Sequence, residues 1–287
     1  MVQRNALQAN QTEVFIDRPL LESILATATE AAQHAAAFIR DAAPTLGDLE
    51  WVEKGTADFV TEVDRGAEAR IIDIVTREFF YATIVGEELS PEDAIASEGL
   101  TFIVDPLDGT TNFLHGYPQY AVSIGVLLGP ELIAAVVLNV PRGDLFTAMI
   151  GGGAQLNGES IHVSNISSPS RALIGTGFPF KSPEFLETYA RQFVAINRGT
   201  AGIRRAGSAA LDLADLACGR FDGFWELVLA PWDIAAGLLL VREAGGIVTN
   251  LAGERCQPAH GPVVAGNPQI HPWLLKAIRE ADNTDHT

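Results

Sequence analysis

The sequence predicts a layered α/β protein made of two intimate halves. Three observations carry this prediction: helical periodicity in both halves, short apolar runs of strand length, and alternation of helices with strands in the second half. The chain has 287 residues, of which 47% are hydrophobic and 19% are charged, so it is long enough to bury a sizeable core. We find no internal repeat and no linker rich in Pro or Gly, and the halves are therefore expected to pack together.

The first half is predicted to contain two helices followed by a sheet. Apolar residues recur at helical spacing over residues 20–40 and again over 64–80, and we expect these two helices to pack against each other. Strand-length apolar runs follow at residues 82–85, 101–104, 120–128, 132–140 and 145–150. Turn sequences such as Gly129-Pro130 join several of the runs, which favours an antiparallel sheet.

The second half follows a polar connector at residues 164–169 and alternates strands with helices. Strands are predicted at residues 172–176, 223–228, 247–249 and 263–265, and helices at 183–197, 208–217, 233–244 and 272–280. We divide the chain into a flexible arm (1–18), an N-terminal half (19–163), a C-terminal half (164–281) and a flexible tail (282–287).

Composition and charge exclude several classes of protein. Asp and Glu number 36 against 19 Lys and Arg, and the resulting net charge of −17 repels nucleic acid and anionic membrane surfaces. The two cysteines, Cys218 and Cys256, are too few for a disulfide scaffold, which favours a reducing cytoplasm. The sequence has neither a signal-peptide core nor an apolar segment of membrane-spanning length, so we expect no membrane insertion.

The chemistry is expected among acidic residues that have no basic neighbour in sequence. No Lys or Arg occurs from residue 78 to 141, whereas nine Asp and Glu residues do. Glu87 and Glu88 come after the predicted strand at 82–85, Asp105 directly follows the strand at 101–104, and Asp108 lies three residues later. Converging carboxylates stay ionised only when a cation is supplied, and oxygen ligands of this kind suit Mg²⁺ or Mn²⁺.

The run from Asp105 to Phe113 combines a carboxylate pair with a candidate phosphate site. Pro106 and Gly109 impose a sharp turn after a buried strand, and the small residues that begin at Gly109 leave backbone N–H groups exposed. A phosphate binds well to such amides, and the adjacent carboxylates would hold the metal that neutralises it.

Two further acidic residues, Asp64 and Asp233, precede predicted helices. Each is explained on its own as an ordinary helix cap, and Ser208 is likewise expected to cap a helix because it lacks a GxSxG elbow.

Taken together, these segments resemble the inositol monophosphatase family of metal-dependent, lithium-sensitive phosphatases. The resemblance spans residues 20–278 and rests on residues 58–64, 86–88, 105–113 and 232–237, which occur in the family's order. Residues 204–214 are similar to the bacterial SuhB-like branch. The resemblance implies a layered αβαβα sandwich of the inositol monophosphatase and fructose-1,6-bisphosphatase type, with the site between the halves, and a homodimer.

The same resemblance implies a role for each site residue. One Mg²⁺ would be held by Glu87, Asp105 and the carbonyl of Leu107. A second Mg²⁺ would be held by Asp105, Asp108 and Asp233, and a third, more weakly bound ion would lie near Glu87. Mn²⁺ would be an alternative metal, and Li⁺ would be an inhibitor. Thr110, paired with Asp64, would position and deprotonate the attacking water, with Glu87 as the third catalytic residue. The amides of Gly109 and Thr110 would bind phosphate. The substrate contacts would be Asp108, Arg204, Ser208, Ala209, Glu226 and Asp233.

We therefore expect a Mg²⁺-dependent phosphomonoesterase that converts myo-inositol monophosphate to myo-inositol and phosphate. Phosphatases for fructose 1,6-bisphosphate, 3′-phosphoadenosine 5′-phosphate or histidinol phosphate would share the carboxylates, but the run Thr111-Asn112-Phe113 favours the inositol branch. A different alternative is that of SuhB-like proteins, which act as protein partners in RNA transcription complexes. The six histidines lack zinc-ligand spacing and no GxxxxGK[ST] occurs, which disfavours a zinc hydrolase, a kinase or an ATPase.

Overall fold

The computed structural model describes residues 17–44, 52–55, 58–89, 95 and 98–283, with the backbone alone at 52–55 and 58–60. The predicted arm and tail lie mainly outside these residues, although Arg18 begins the first helix and Asp282 ends the last. Within the described residues the helices are α1 (Arg18–Ala42), α2 (Glu62–Glu78), α3 (Thr110–Leu114), α4 (Leu186–Gly199), α5 (Ala209–Ala217), α6 (Pro231–Glu243) and α7 (Ile270–Asp282). Of these helices, none combines the length and the apolar character needed to cross a membrane.

The described strands form two larger sheets and one hairpin. The hairpin is β1 (Val52–Gly55) and β2 (Asp58–Val60). The seven-stranded sheet contains, in chain order, β3 (Thr83–Gly86), β4 (Leu100–Asp108), β5 (Ala121–Leu128), β6 (Glu131–Asn139), β7 (Leu145–Met149), β8 (Gly153–Leu156) and β9 (Glu159–Ile161). The five-stranded sheet has the order β11-β10-β12-β14-β13, from β10 (Leu173–Thr176), β11 (Gly202–Arg204), β12 (Gly223–Leu229), β13 (Ile247–Thr249) and β14 (Gly261–Gly266).

The seven-stranded sheet is not wholly antiparallel, and that prediction was wrong at one edge. Strands β3 and β4 run parallel, with Thr83 opposite Thr101 and Gly86 opposite Val104, whereas the remaining pairs are antiparallel. Residues 87–99 connect these two strands, and a connection of about a dozen residues is long enough for the chain to return to the start of the sheet. Both strands therefore end at the same edge, which places the residues after β3 beside those at the end of β4.

Helices and sheets stack in five layers, as the predicted αβαβα sandwich requires. Helices α1 and α2 cover the outer face of the seven-stranded sheet, α5 and α6 fill the space between the sheets, and α4 and α7 cover the five-stranded sheet. Strand alternation assigns neighbouring side chains to different layers: Phe102 packs with α1 and α2, whereas Ile103 packs in the middle layer. In β12, Phe224 packs in the middle layer and Trp225 packs with α4 and α7.

The predicted pairing of the first two long helices is confirmed. The Arg70 guanidinium lies 3.6 Å from the centre of the Phe38 ring, and Arg77 Nη2 lies 2.9 Å from Glu30 Oε1. Helix α2 begins at a capped end, where the Thr61 hydroxyl accepts a hydrogen bond from the Val63 amide at 3.0 Å. Helix α2 packs on the sheet so that the start of the helix lies near the end of β4.

The connector between the halves is held by side-chain hydrogen bonds. Asn267 Nδ2 donates to Ser164 Oγ and to the Ile166 carbonyl, each at 2.9 Å. The Leu173 amide donates to Asp222 Oδ2 at 2.7 Å. These bonds tie the start of the C-terminal half to its own sheet, while the middle layer belongs to one core shared by both halves.

Candidate active site

A cavity of about 560 Å³ lies where the ends of several elements from both halves meet. Its lining includes ten of the residues predicted from sequence: Glu87, Asp105, Leu107, Asp108, Gly109, Thr110, Ser208, Ala209, Glu226 and Asp233. The other two predicted residues lie elsewhere. Asp64 is buried behind Thr110, and Arg204 is exposed at the end of β11.

Two carboxylates come from the end of β4, a strand that is buried along its whole length. The pairing of β4 with β5 is irregular between Asp105 and Asp108, and the Leu107 amide there donates to Asp105 Oδ1 at 3.0 Å. Burial raises the pKa of Asp105 well above its usual value, and the negative charges of Glu87, Asp108 and Asp233 raise it further. Asp105 is therefore a desolvated acid whose charge is opposed by three other carboxylates.

Asp108 connects the two halves of the molecule. Its Oδ2 accepts hydrogen bonds from Ser208 Oγ at 2.6 Å and from the Ala210 amide at 2.8 Å, both at the start of α5. Ser208 also caps α5, since its hydroxyl accepts from the Leu211 amide at 3.3 Å, as predicted. Burial raises the pKa of Asp108, while the hydrogen bonds from α5 act in the opposite direction.

The turn after β4 requires glycine at position 109. Gly109 has a φ of 95°, and a Cβ there would lie 3.0 Å from the Gln119 carbonyl oxygen and 3.2 Å from that of Gly207. The turn places Thr110 at the start of the short helix α3, where its hydroxyl lies 3.0 Å from Asp64 Oδ1. The predicted Thr110–Asp64 pair is thus in hydrogen-bond contact.

Asp64 was expected to precede α2 as its cap, but Thr61 is the N-cap, and Asp64 lies in the first turn, where it completes a capping box with Thr61. Its Oδ2 accepts from the Thr61 amide at 2.8 Å and from the Thr61 hydroxyl at 2.5 Å. Burial raises the pKa of Asp64, and these hydrogen bonds together with that from Thr110 oppose the rise. One oxygen of the carboxylate therefore holds the helix, and the other faces Thr110.

Glu87 enters the cavity from the end of β3. Its amide donates to the Val104 carbonyl at 3.2 Å, one residue before Asp105. The parallel pairing of β3 with β4 therefore explains why two carboxylates that are far apart in sequence line one cavity.

Asp233 and Glu226 come from the C-terminal half. Asp233 lies in the first turn of α6, where its Oδ2 accepts from the Ala230 amide at 2.7 Å. Glu226 lies on β12 and is half-buried. Burial raises the pKa of Glu226 well above its usual value, and the negative charges of Asp233 and Asp108 raise it further. Gly177 packs against this side chain so closely that a Cβ at position 177 would lie 2.2 Å from the Glu226 carboxylate.

Sequence reasoning missed three charged residues that line the cavity: Lys181, Arg205 and Asp212. The charges of Arg205 and Lys181 both lower the pKa of Glu226. The Arg205 guanidinium lies 5.1 Å from the ring of Phe178 and 5.3 Å from that of Phe180. The pair Arg204-Arg205 was the available signal, but sequence alone did not show which arginine faces the cavity.

Asp212 is a buried acid, and one of its carboxylate oxygens has no hydrogen-bond partner among the described residues. The residue is 2% exposed, and the oxygen in question is Oδ1. Burial raises its pKa well above the usual value, and the charges of Glu226 and Asp108 add to the effect. Its position on α5 four residues after Ser208 was the only hint in the sequence.

The acidic lining has the composition of a site for hard cations, although its side chains do not form a finished ligand set. Among the described residues, no three His, Cys, Asp or Glu side chains are grouped closely enough to hold a metal ion. Four carboxylates nevertheless line the same cavity, and three of them raise the pKa of the fourth through their charge. Oxygen donors of this type suit Mg²⁺ or Mn²⁺, and the chemistry of the donor set therefore fits such an ion.

Comparison with known proteins identifies similar sequences and structures. The family model described as "Inositol monophosphatase family" matches residues 20–283. The Nus factor SuhB of Escherichia coli (strain K12) is 43% identical over 260 residues, which cover 91% of this chain and 97% of that protein.

Solved structures agree with this match. The extragenic suppressor protein SuhB from Bartonella henselae has a TM-score of 0.85 at 38% identity, covering 90% of this chain and 99% of that one. Inositol monophosphatase from Anabaena (Nostoc) sp. PCC 7120 has a TM-score of 0.81 at 36% identity, covering 91% and 97%.

Proposed function

Because this chain belongs to the inositol monophosphatase family and is a phosphatase of that type, we propose that it hydrolyses myo-inositol monophosphate to myo-inositol and phosphate in a Mg²⁺-dependent reaction. A small phosphomonoester is the class of substrate that the family implies. One observation carries the proposal: the carboxylates of Glu87, Asp105, Asp108 and Asp233, drawn from both halves, line one cavity beside the Gly109–Thr110 turn.

The proposed metal ligands are those carboxylates and the carbonyl of Leu107. Members of the family are generally metal-dependent, and oxygen donors of this kind bind Mg²⁺ or Mn²⁺. Bound Mg²⁺ would lower the pKa of water and neutralise the charge of the phosphate. Buried, mutually repelling carboxylates such as Asp105 favour a cation because it relieves both the repulsion and the cost of burying their charge.

Thr110 and Asp64 are the proposed pair that removes a proton from the attacking water. The Thr110 hydroxyl donates to Asp64 Oδ1 at 3.0 Å, which leaves lone pairs of the hydroxyl oxygen to accept a proton from water. The proton that Thr110 gives up then passes to Asp64. Burial raises the pKa of Asp64, which makes the carboxylate a better proton acceptor than an exposed Asp.

Phosphate binding is assigned to backbone amides and to cations from the C-terminal half. The Gly109–Thr110 turn faces the cavity, and its amides are the proposed donors to the phosphate oxygens. Lys181 and Arg205 line the same cavity and supply positive charge that residues 78–141 lack. Arg205 therefore replaces Arg204 in our proposal, because Arg205 lines the cavity, whereas Arg204 does not and donates to the neighbouring Ile203 carbonyl at 3.0 Å.

The leaving alcohol is proposed to contact the C-terminal half. Glu226, Ser208, Ala209 and Asp233 line that side of the cavity, together with Asp212. The buried Oδ1 of Asp212 has no hydrogen-bond partner among the described residues, so it is suited to accept a hydrogen bond from a hydroxyl group. A polyol offers several such donors.

The proposal is tested by assaying phosphate release from a panel of phosphomonoesters with Mg²⁺ and with a chelator. The panel contains myo-inositol 1-phosphate, fructose 1,6-bisphosphate, 3′-phosphoadenosine 5′-phosphate and histidinol phosphate. We expect the highest kcat/KM for myo-inositol 1-phosphate and loss of turnover with the chelator. A clear preference for another ester would assign the protein to that substrate, and turnover unaffected by chelation would reject the metal mechanism.

A second candidate function is an interaction with a transcription complex, because the E. coli relative is named a Nus factor. The net charge of −17 disfavours direct binding to nucleic acid, so such a role would depend on protein contacts. Co-sedimentation with purified RNA polymerase elongation complexes tests it. An Asp105→Asn variant should bind as the wild type does if this role is independent of catalysis, and no binding by either protein rejects it.

Homodimer formation and inhibition by Li⁺ remain predictions from the family resemblance. Sedimentation equilibrium would measure the first. The Mg²⁺ dependence of turnover at increasing LiCl concentration, with KCl as the control salt, would measure the second.

A further inference from the structure

We propose that Glu68 is a positioning residue that sets the metal affinity of the cavity by holding the turn that carries Glu87. This inference rests on the proposed function, since it concerns a ligand of the proposed metal site. Glu68 itself is not among the residues that line the cavity.

Glu68 is completely buried on α2, and its carboxylate binds two consecutive backbone amides. Oε2 accepts from the Glu88 amide at 2.9 Å, and Oε1 accepts from the Leu89 amide at 3.1 Å. Burying a carboxylate is costly unless hydrogen bonds compensate for the lost water. Glu68 therefore ties the two residues after Glu87 to a rigid helix.

The backbone next to Glu87 is shaped to admit this carboxylate. A Cβ at Gly86 would lie 2.2 Å from Glu68 Oε1, so any side chain at position 86 would push the carboxylate away from the turn. On the other side, the Glu87 amide donates to the Val104 carbonyl at 3.2 Å. Glu87 is thus fixed from two directions, by β4 and by Glu68.

Helix α2 therefore carries the proposed proton acceptor and also holds the turn of a proposed metal ligand. Asp64 and Glu68 are four residues apart, on the same face of the helix, where one contacts Thr110 and the other holds the Glu87 turn. A shift of α2 would therefore move the proposed proton acceptor and a proposed metal ligand together. A hydrogen-bonding partner behind a metal ligand typically changes metal affinity by about 10- to 100-fold when it is removed.

The experiment measures Mn²⁺ binding to the free protein by electron paramagnetic resonance, with thermal unfolding recorded in parallel. In Glu68→Gln the amide oxygen replaces one acceptor, but the NH₂ group meets a backbone N–H. We expect Mn²⁺ affinity to fall by about 10-fold or more while the unfolding midpoint stays well above the assay temperature. Glu62→Gln, an exposed change on the same helix, is the matched control and should bind as the wild type does.

A second variant and a double variant make the test decisive. Gly86→Ala should weaken Mn²⁺ binding as Glu68→Gln does, because it displaces the same carboxylate, and it serves as the test if Glu68→Gln does not fold. In a Glu87→Gln background, Glu68→Gln should cause little further loss, since Glu68 acts through Glu87.

Several outcomes would reject the proposal. Wild-type affinity in Glu68→Gln overturns it, as does a full additional loss in the Glu87→Gln background. A wild-type protein that binds Mn²⁺ but hydrolyses no ester refutes the proposed function and leaves the role of Glu68 to be decided by binding alone. A wild-type protein that binds no Mn²⁺ overturns both.

Discussion

The N-terminal and C-terminal halves contribute different kinds of groups to the same cavity. The N-terminal half supplies Glu87, Asp105 and Asp108 from the ends of two adjacent parallel strands, in a stretch without Lys or Arg. The C-terminal half supplies Lys181 and Arg205, which carry positive charge, as well as further acidic and small residues. One half therefore concentrates negative charge on a rigid sheet edge, and the other presents a mixed surface built from separate loops and helix ends.

This difference suggests a division of labour. A cluster of carboxylates recognises what all phosphomonoesters share, through the metal ions proposed to bind there. A mixed surface is suited to distinguish one alcohol from another. Changes to the carboxylates at the ends of β3 and β4 should therefore affect every substrate alike. Changes to C-terminal residues proposed to contact only the alcohol, such as Glu226, should instead alter the order of preference among substrates.

The largest effect is expected for Asp105→Asn. Removing the charge of a buried carboxylate that faces three others should lower phosphate release by at least about 100-fold for every ester of the panel. Initial rates at saturating Mg²⁺ measure the loss, and Asp73→Asn, exposed on α2, is the control. A loss confined to one ester would contradict the proposed division between the halves.

Gly109→Ala should damage the contact between the halves. A non-glycine residue at a φ of 95° is strained, and its Cβ would crowd the carbonyl oxygens of Gln119 and Gly207, one from each half. We expect a loss of about 1–3 kcal/mol in the free energy of unfolding, measured in urea, with reduced turnover of all esters. The control is Gly143→Ala, a glycine of the N-terminal half that also has a positive φ but has open space around its Cβ position. Equal losses in both variants would show that backbone strain alone accounts for the effect.

Glu226→Gln should change the KM for one substrate more than for another, without abolishing turnover. The residue lies on the C-terminal side of the cavity, where loss of its charge weakens hydrogen bonds from a polyol. The expected result is a KM about 10-fold higher for myo-inositol 1-phosphate and nearly unchanged for p-nitrophenyl phosphate, whose leaving group has no further hydroxyl. Glu159→Gln, exposed on β9, is the control. A parallel rise for both esters would place Glu226 with the phosphate site.

The smallest expected effect is a dependence of protein stability on pH that arises from His271, in the C-terminal half. His271 is 5% exposed, its Nε2 lies 3.0 Å from the Thr249 hydroxyl, and burial lowers its pKa. Because the folded protein binds this proton less readily than the unfolded chain, stability should fall as the pH drops below about 6.5, by at most about 1.4 kcal/mol per unit. Urea midpoints at pH 7.5 and 5.5 measure this loss. His271→Gln should reduce it, whereas His162→Gln, on the surface, should not.

Much of the fold was predictable because its signals are local. The periodicity of α1 and α2 and the apolar runs of β5, β6 and β7 correspond to elements of the structure. The hairpins β1–β2 and β8–β9 and the strand β11 were missed, whereas the equally short β3, β10 and β13 were predicted, because the missed strands are richer in charged residues. The parallel pairing of β3 with β4 was also missed, because alternation within a strand contains no information about the direction of its neighbour.

The candidate site likewise contains features that could be predicted from local sequence and features that could not. The run from Asp105 to Thr110 was readable because its turn, its carboxylates and its amides are neighbours in sequence. The bond between Asp108 and Ser208 spans a hundred residues, and the choice of Arg205 over Arg204 depends on how β11 meets the cavity.

The sequence by itself determined the order of the long helices and of the longer strands, the acidic run without basic neighbours and the glycine turn, because these depend on residues within a few positions of each other. Tertiary structure alone decided which charges face the cavity, why Asp212 is buried with an unpartnered oxygen, and that Glu68 reaches the Glu87 turn. The physical reason is that burial and the hydrogen bonds that compensate for it are set by segments far apart in the chain, which local pattern does not bring together.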